Sequence, residues 1–321
     1  MLAYVARRLA YSIPVLLIAS FLLFAFVRAT FDPTARLRTS RDPNAIARER
    51  ARLGLDRPVV VQYKNFIVKF VQGDWGESSR TRERVYPMIR RALWGTVQLI
   101  GWGVLVSALL AVSIGVLSAV RQYSIADYSF TSLSFLGLAM PPFWFGLIAI
   151  QFLAVYPKDW FNLAETPLYF VGLHSVDKSG FVDYARHLAL PVLTLTVQIV
   201  AAWSRYERAS MLDALNADYV RAAKAKGLSP RAVIFKHAFR NALMPLVTVM
   251  ALDIGALFGG LIITEAIFTV PGMGRLFIDS LIQGDADVLV VWTLITAGFV
   301  VVFNLLADIL YGVLDPRVRY A

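Results

Sequence analysis

Long stretches without a charged side chain alternate with short charged segments along this chain. Six stretches of at least 18 residues contain no Asp, Glu, Lys or Arg, apart from one interruption by Asp253. They are Leu9–Val27, Ala92–Val120, Tyr128–Pro157, His187–Ser204, Asn241–Thr264 and Val288–Ala307. A helix needs about 20 apolar residues to cross the bilayer core, and its backbone must be hydrogen-bonded internally there. The pattern therefore predicts six membrane-spanning helices.

Lys and Arg are distributed unequally between the connecting segments. With a cytoplasmic N-terminus, the short cytoplasmic segments are 1–8, 121–127, 205–240 and 308–321, and the short outer segments are 158–186 and 265–287. The first group carries 13 Lys and Arg, and the second carries 4. Cytoplasmic loops normally carry the excess, so both termini are predicted to be cytoplasmic. Loop 28–91 carries 15 but, at 64 residues, is long enough to be largely exempt from this rule.

Composition agrees with a membrane protein. Of 321 residues, 58% are apolar and 17% are charged, and the mean hydropathy is +0.60; soluble domains are about 45–50% apolar and about 25% charged. The absence of cysteine excludes a disulfide scaffold, a thiolate metal site and a cysteine nucleophile. The three histidines, His174, His187 and His237, are far apart, which argues against a histidine metal site. Membrane orientation explains the net charge of +10 better than a nucleic-acid partner does.

The first apolar stretch and the loop that follows it carry further local signals. Leu9–Val27 follows two arginines but is longer than the core of a secretory signal, so we interpret it as an uncleaved span rather than a leader. Loop 28–91 is predicted to contain two helices, the first beginning at Asp42 and Pro43 and ending at Gly54. The apolar residues of the second helix recur at helical spacing up to Gly73; they are Val59, Val60, Tyr63, Phe66, Ile67 and Phe70. This loop is either a structural cap on the bundle or a docking surface for an extracytoplasmic partner.

Loop 205–240 is the one extended segment predicted on the cytoplasmic side. A helix is predicted over Asp218–Lys226, with Tyr219, Ala222, Ala223 and Lys226 on one face. Gly227 can adopt the left-handed conformation that ends it, and Ser229 and Pro230 suit the start of the next helix. A helix this short is marginal alone, so it needs the bundle or a groove in another protein. The alternative is a basic helix lying on anionic lipid.

The Arg221-Ala222-Ala223-x-x-x-Gly227 pattern resembles the coupling motif of binding-protein-dependent ABC importer permeases. Its first position is usually Glu in that family, whereas Arg resembles the dipeptide, oligopeptide and nickel branch. Seven other stretches are similar to that branch in the same order. They are Leu53-Gly54-Leu55-Asp56-x-Pro58, Gly73-Asp74-Trp75-Gly76-x-Ser78, His187-Leu188-x-Leu190-Pro191, Arg205-Tyr206-x-Arg208-x-Ser210-Met211, His237-x-x-Arg240-Asn241-Ala242, Glu265-x-x-Phe268-x-x-Pro271-Gly272-x-Gly274 and Asp308-x-x-Tyr311-x-x-Leu314-Asp315-Pro316-Arg317. The resemblance thus covers essentially the whole chain.

The resemblance implies an all-α type I ABC importer permease fold. The expected division is a first transmembrane helix at 1–28, an extracytoplasmic helical loop at 29–91 and a five-helix core at 92–321 with coupling loop 205–240. The large outer loop resembles the first of the two permease types in such importers. A second, paralogous permease, two cytosolic ATPases and an extracytoplasmic substrate-binding protein are the implied partners. The implied ATPase-coupling residues are Asp218, Tyr219, Arg221, Ala222, Ala223, Lys226, Gly227, Leu228, His237 and Asn241.

The chain itself carries no recognisable catalytic machinery. It contains no G-x-x-x-x-G-K-[ST] sequence, so a P-loop is excluded. We therefore expect no catalytic residue, metal site or cofactor in this chain, and expect ATP and Mg²⁺ to bind the partner ATPases. An ion-driven secondary transporter using Asp253 and Asp308 as a proton relay is the alternative mechanism, and a membrane scaffold is a third.

Four residues are candidates for the translocation pathway: Met140, Pro141, Asp253 and Glu265. A mid-span carboxylate such as Asp253 faces either a water-filled path or a structural partner inside the bundle. Pro141 and Pro142 are predicted to kink or break their helix, which forms either a gate hinge or a passive bend. Gly255, Gly259 and Gly260 predict close helix packing.

The sequence therefore predicts a multi-pass permease of a prokaryotic cytoplasmic membrane that imports di- or oligopeptides. Nickel or another small solute is the alternative cargo, because the same branch handles several solutes.

Overall fold

A computed structural model describes residues 2–32, 34, 44–178 and 180–314. The predicted helix start at Asp42 and Pro43 and the motif residues Asp315, Pro316 and Arg317 lie outside this range. The described residues are mainly helical and form no β-strand. Fourteen α-helices are numbered here in chain order within the described part.

The helices vary from one turn to 36 residues. They are α1 Leu2–Thr30, α2 Ala45–Leu53, α3 Val59–Val71, α4 Val85–Val120, α5 Ile125–Ala139, α6 Pro142–Ile150, α7 Tyr156–Trp160, α8 Phe181–Asn216, α9 Asp218–Ala225, α10 Pro230–Ala232, α11 Phe239–Gly260, α12 Ile262–Ile267, α13 Met273–Gln283 and α14 Ala286–Leu314. A π-helical turn at Gln151–Val155 joins α6 to α7, and another at Val233–Ala238 joins α10 to α11.

The predicted number of spans is confirmed when a bent pair counts as one. Five helical stretches of the described chain are long and apolar enough to cross a membrane, namely Ala10–Thr30, Val85–Val120, Phe181–Asn216, Pro230–Gly259 and Ala286–Leu310. The sixth is α5 followed by Pro142–Trp160, which are bent by 103°. Helix α4 begins at Val85, before the division expected at residue 92. Exposed Arg90 and Arg91 ended the charge-free stretch without ending the helix.

The bend at the third span has the predicted cause. Met140 and Pro141 both have extended backbones, with ψ of 125° and 137°. A proline disfavours helical geometry in the residue before it and lacks an amide proton to continue the helix. The carbonyl of Met140 instead accepts a hydrogen bond from the Gln198 side chain on α8, at 3.2 Å. The break is therefore fixed against α8.

Helix α8 lies at the centre of the main core. It packs against α4, α5, α6 and α11, and its fully buried Leu190 and Trp203 belong to a cluster that includes Leu99 and Phe268. The predicted close packing is confirmed for Gly255 and Gly259, between α11 and α14. A Cβ atom added at Gly255 would lie 2.7 Å from the Cβ of Phe303, and one at Gly259 would lie 2.9 Å from Thr296.

The described part of loop 28–91 is folded and attached to two spans. Gly54 ends α2 with φ of +65°, as predicted. Tyr63 of α3 donates its hydroxyl hydrogen to the Leu17 carbonyl of α1, at 3.0 Å. Ser78 and Ser79 both bond the carboxylate of Asp285, just before α14, and these three side chains are buried. The loop is therefore held to both α1 and the start of α14.

Candidate coupling surface

A single residue separates the longest central helix from the predicted coupling helix. Helix α8 ends at Asn216, Ala217 is extended (φ −70°, ψ 151°), and α9 begins at Asp218. The Ala217 carbonyl accepts hydrogen bonds from the amides of Val220, at 3.0 Å, and Arg221, at 3.1 Å. Helix α9 thus starts with its first turn bonded to the residue that ends α8.

One face of α9 is buried in this chain. Val220 and Ala223 are 0% and 4% exposed, and they pack in a cluster with Met211 and Ala214 of α8. The cluster also contains Ala119 of α4 and three residues that follow the turn, Val233, Ala238 and Ala242. The methyl group of Ala223, one of the predicted coupling residues, therefore belongs to the core of this chain.

The other face of α9 and the turn after it are exposed. Tyr219 and Leu228 are each 42% exposed, and Ala222, Lys226 and Gly227 are also exposed. Asp218 and Arg221 form an ion pair on the surface, where both side chains are largely exposed. The structure thus brings Asp218 to Leu228 into one surface, with Ala223 beneath it. We call the exposed residues of Asp218–Leu228 the α9 surface.

The predicted helix end at Gly227 is confirmed. Gly227 has a φ of +76°, and its amide donates to the Lys224 carbonyl at 3.0 Å. The hydroxyl of Ser229 accepts a hydrogen bond from the amide of Ala232, and Pro230 begins the next helix. The positive φ of Gly227 favours a residue without a side chain. The turn at Gly227 therefore fixes where the α9 surface ends.

His237 and Asn241 lie on the helix that follows this turn rather than on α9. The Asn241 side chain is exposed and donates to the His237 carbonyl at 3.1 Å, whereas the ring of His237 is half-buried. Each of them is followed in the chain by a member of the cluster that buries α9, since Ala238 and Ala242 belong to that cluster. They form a second, separate part of the predicted contact.

An ion pair that no sequence pattern identified supports this end of α8. Arg208 donates from Nε and Nη2 to the two oxygens of Asp127 on α5, at 2.7 and 2.8 Å. The amide of Tyr123 also donates to Asp127, at 3.0 Å, and the Ser124 hydroxyl accepts from the Asp127 amide. The Ser124-x-x-Asp127 spacing resembles a capping box, and it is the local sequence signal for the start of α5.

The carboxylate of the residue before Arg208 has no such partner among the described residues. Glu207 is fully buried, and neither carboxylate oxygen has a hydrogen-bond partner among the described residues. A Cβ atom added at Gly115 of α4 would lie 2.6 Å from the Cβ of Glu207, so α4 passes directly over it. A buried carboxylate without a partner is unfavourable when ionised.

Two of the four predicted pathway residues contact α8, and a third is next to one of them in the chain. Met140 is bonded to Gln198 as described above, and exposed Pro141 follows it. Asp253 of α11 is half-buried and accepts a hydrogen bond from the indole of Trp203, at 2.7 Å. Asp253 therefore has a structural partner, which was one of its two predicted roles.

Glu265 lies elsewhere, between α4, α12 and α13. Its carboxylate accepts hydrogen bonds from the Thr96 hydroxyl at 2.6 Å and from the amides of Gly274 and Arg275 at 2.7 and 3.2 Å. Thr96 in turn accepts from the Met273 amide at 2.7 Å. These amides are the first three of α13, so Glu265 and Thr96 together cap that helix. Glu265 is fully buried, and this burial raises its pKa to about 7.

Comparison with known families gives matches over nearly the whole chain. Residues 111–320 match the model described as binding-protein-dependent transport system inner membrane component. Residues 1–99 match the model for the N-terminal part of the membrane components of binding-protein-dependent transport systems.

Individual relatives align from end to end. The chain is 41% identical to the oligopeptide transport system permease protein AppB of Bacillus subtilis, covering 100% of both chains. It is 36% identical to the di/tripeptide transport system permease protein DppB of Pseudomonas aeruginosa and 34% identical to the dipeptide transport system permease protein DppB of Escherichia coli. In both cases the match covers 100% of this chain and 99% of the relative.

Two solved structures share the fold at low sequence identity. The inward-facing MetNI methionine ABC transporter matches with a TM-score of 0.54 and 16% identity, over 71% of this chain and 96% of that chain. An amino acid ABC transporter with histidines matches with a TM-score of 0.52 and 13% identity, over 70% and 94%. The fold is thus that of the membrane subunits of ABC importers.

Proposed function

Since this chain belongs to the family of binding-protein-dependent transport system inner membrane components, we propose that it forms part of the conduit of an ATP-driven importer of di- and oligopeptides. Members of this family work in ABC importer complexes of the bacterial inner membrane, and the spans of this chain suit that location. The end-to-end relatives named for oligopeptides, di- and tripeptides and dipeptides support the peptide cargo.

The observation that carries the coupling part of the proposal is the division of α9 into two faces. Its buried face is packed into the core of this chain, whereas its outer face is open. A partner that binds the α9 surface can therefore displace α8, because only Ala217 lies between the two helices. In this proposal the partner is a cytosolic ATPase, which binds ATP and Mg²⁺ and performs the hydrolysis. His237 and Asn241 extend the contact along the next helix.

The remaining partners follow from the proposed role as one subunit of a complex. A second, paralogous permease completes the conduit, and an extracytoplasmic binding protein delivers the peptide. Both termini and the α9 surface then lie on the cytoplasmic side, as the distribution of Lys and Arg in the short loops predicts. This chain contributes no catalytic residue and no cofactor of its own.

Adjacent alanines of α9 provide the test of coupling. In the complete complex reconstituted in proteoliposomes, we expect Ala222→Leu to lower ATP-driven peptide uptake strongly while leaving the thermal midpoint near that of the unmodified complex. Ala222 is exposed, so the larger side chain obstructs the partner without disturbing the core. Ala223→Leu is the matched variant on the buried face. It should lower the stability of the complex by about 1–3 kcal/mol through overpacking.

The outcomes separate a coupling surface from a passive loop. Normal uptake by Ala222→Leu would refute the assignment of the α9 surface. The energy source is tested in the same vesicles, because uptake that persists without ATP but stops with a protonophore would indicate a secondary transporter. Competition by peptides but not by nickel would support the proposed cargo, and the reverse result would exclude it.

A further inference from the structure

The outermost line of helix α9 is formed by small side chains. Val220 and Ala223 are buried against the bundle, and with about 100° of turn per residue the positions opposite to them are Ala222 and Ala225. Both of these alanines are exposed. A methyl group protrudes little from a helix, so the surface of another protein can approach the backbone of α9 closely along this line.

Exposed cations lie on both sides of this line of alanines. Lys226 follows Tyr219 by two helical turns on one side, and Lys224 follows Arg221 by one turn on the other side. Arg221 is paired with Asp218. Lys224 and Lys226, by contrast, have no hydrogen bond or ion pair with a described residue. The α9 surface therefore carries one unpaired ammonium group on each side of the alanines.

The α9 surface lies beyond the lipid headgroups. Exposed Arg205 is the first charged residue after the apolar stretch His187–Ser204, and an exposed guanidinium lies at the edge of the hydrocarbon or outside it. Helix α9 packs against Met211 and Ala214, which are about 9 and 14 Å further along α8. The headgroup layer on each side of a bilayer is only about 5–8 Å thick. The outer face of α9 is therefore accessible to a protein rather than to lipid phosphates.

The two lysines determine the chemistry of the protein surface that fits α9. When the line of alanines enters a groove, Lys224 and Lys226 meet its two walls and lose part of their hydration. An ammonium group that loses water without gaining a partner is unfavourable, so the walls must supply carboxylates. Tyr219 and Leu228, each 42% exposed, add apolar area near the two ends of the α9 surface.

We propose that the α9 surface fits a groove on the cytosolic ATPase whose two walls carry carboxylates, one wall opposite Lys224 and the other opposite Lys226. The inference rests on the proposed function, because it takes the ATPase as the partner, and it adds the charge that the groove of this partner presents. Opposite charges at the edge of a contact speed association and make binding sensitive to salt. The ATPase is therefore held most tightly at low ionic strength.

A carbodiimide provides the direct test, because it joins an ammonium group to a carboxylate only where the two are in contact. The complete importer in nanodiscs is treated with the reagent and digested, and mass spectrometry identifies the joined peptides. We expect the peptides that contain Lys224 and Lys226 to be joined to Asp or Glu residues of the ATPase. The absence of such products from importers that retain their ATPases would overturn the proposal.

A paired substitution measures the contribution of the two charges to binding. In gel filtration of the complete importer, ATPase retention should fall as salt is raised. Lys224→Gln combined with Lys226→Gln should lower retention severalfold at low salt and leave little further dependence on salt. Lys64→Gln combined with Lys69→Gln makes the same change at two exposed lysines of α3 and should leave retention unchanged.

The remaining outcomes separate this proposal from the assignment of the coupling surface. If Ala222→Leu blocks uptake while the paired variant of Lys224 and Lys226 keeps full retention, the coupling assignment stands and the acidic groove is refuted. If neither variant changes uptake or retention, both are refuted. An effect of the paired variant that disappears when phosphatidylglycerol is omitted from the nanodiscs would place the lysines on lipid and would also refute the acidic groove.

Discussion

The guanidinium of Arg208 on α8 and the carboxylate of Asp127 on α5 meet through two parallel hydrogen bonds of 2.7 and 2.8 Å. The Asp127 side chain is 3% exposed, whereas that of Arg208 is 28% exposed. This bidentate geometry connects the turn between α4 and α5 to the part of α8 that continues into α9. Helix α5 contributes no described residue to the cluster that buries α9. Through this ion pair, however, it supports the end of α8 that continues into α9.

The first prediction concerns this ion pair. Asp127→Asn should destabilise the complex by on the order of 2 kcal/mol, because the amide cannot accept both guanidinium hydrogen bonds and the arginine loses its counter-charge. The thermal midpoint of the purified complex measures the effect. Asp213→Asn, at an exposed position near the same end of α8, is the control and should change little. Equal midpoints for the two variants would contradict the prediction.

The second prediction concerns the turn after α9. Gly227→Ala should cost about 1 kcal/mol because an L-residue is strained at a φ of +76°, and it should also lower ATP-driven uptake. Gly172 has the same φ of +76° and equally open space around it. Gly172→Ala should therefore have a similar midpoint but retain uptake. A parallel loss of uptake in both variants would indicate general strain rather than a coupling role.

Local features of this region were predictable from the sequence, whereas the direction of each face was not. Gly227, Ser229 and Pro230 carry their conformational preferences in their own covalent structure, so the end of α9 and the start of α10 followed from them. The periodicity placed Tyr219 and Ala223 on one side, but it contains no information about which side the bundle occupies. The structure places the boundary between the buried and exposed faces between these two residues.

Contacts distant in sequence were also unpredictable. Thr96 and Glu265 are separated by 169 positions, and Ser78 and Asp285 by 207. Neither pair has a local pattern that identifies its partner, because each requires the packing of several helices first. By contrast, the break at Met140 and Pro141 was predictable, since proline imposes it locally.

The third prediction is a pH dependence at Glu265. Burial raises its pKa from the ordinary value of 4.5 to about 7. Between these values the unfolded chain has released the proton while the folded chain retains it, so the free energy of unfolding falls as pH rises from about 4.5 to about 7, by at most about 3 kcal/mol. Above pH 7 this contribution is lost.

Glu265→Gln tests this dependence. At low pH the protonated acid has one O–H donor in this buried site, whereas the amide has two N–H donors, so the variant should be less stable there by about 1–3 kcal/mol. The fall in thermal midpoint between pH 5 and pH 7 should also be smaller, because the titrating group is gone. An unchanged fall would assign the pH dependence to other groups.

The fourth prediction is the opposite response at the second buried glutamate. Glu207→Gln should leave the thermal midpoint unchanged or raise it, by on the order of 1 kcal/mol, because the native carboxylate oxygens have no described partner to lose. Measured beside Glu265→Gln, it compares the same chemical change in two buried sites. A lower midpoint for Glu207→Gln would reveal a partner that stabilises the carboxylate.

The fifth prediction concerns the attachment of the loop to α14. Ser78→Ala removes one of the hydroxyl groups that bond buried Asp285. It should cost about 1–3 kcal/mol and increase proteolysis of residues 73–84, because the carboxylate is left with fewer donors. Ser132→Ala, at an exposed position on α5, should leave proteolysis unchanged. Equal digestion of the two variants would contradict this prediction.

The direct passage from α8 into α9 has a consequence for length changes. Helix α8 has 36 residues and is about 54 Å long, with a single residue between it and α9. One residue inserted within α8 would turn everything beyond it by about 100°, directing the hydrophobic side of α9 away from its own bundle. Insertions of a single residue within α8 should therefore be rejected.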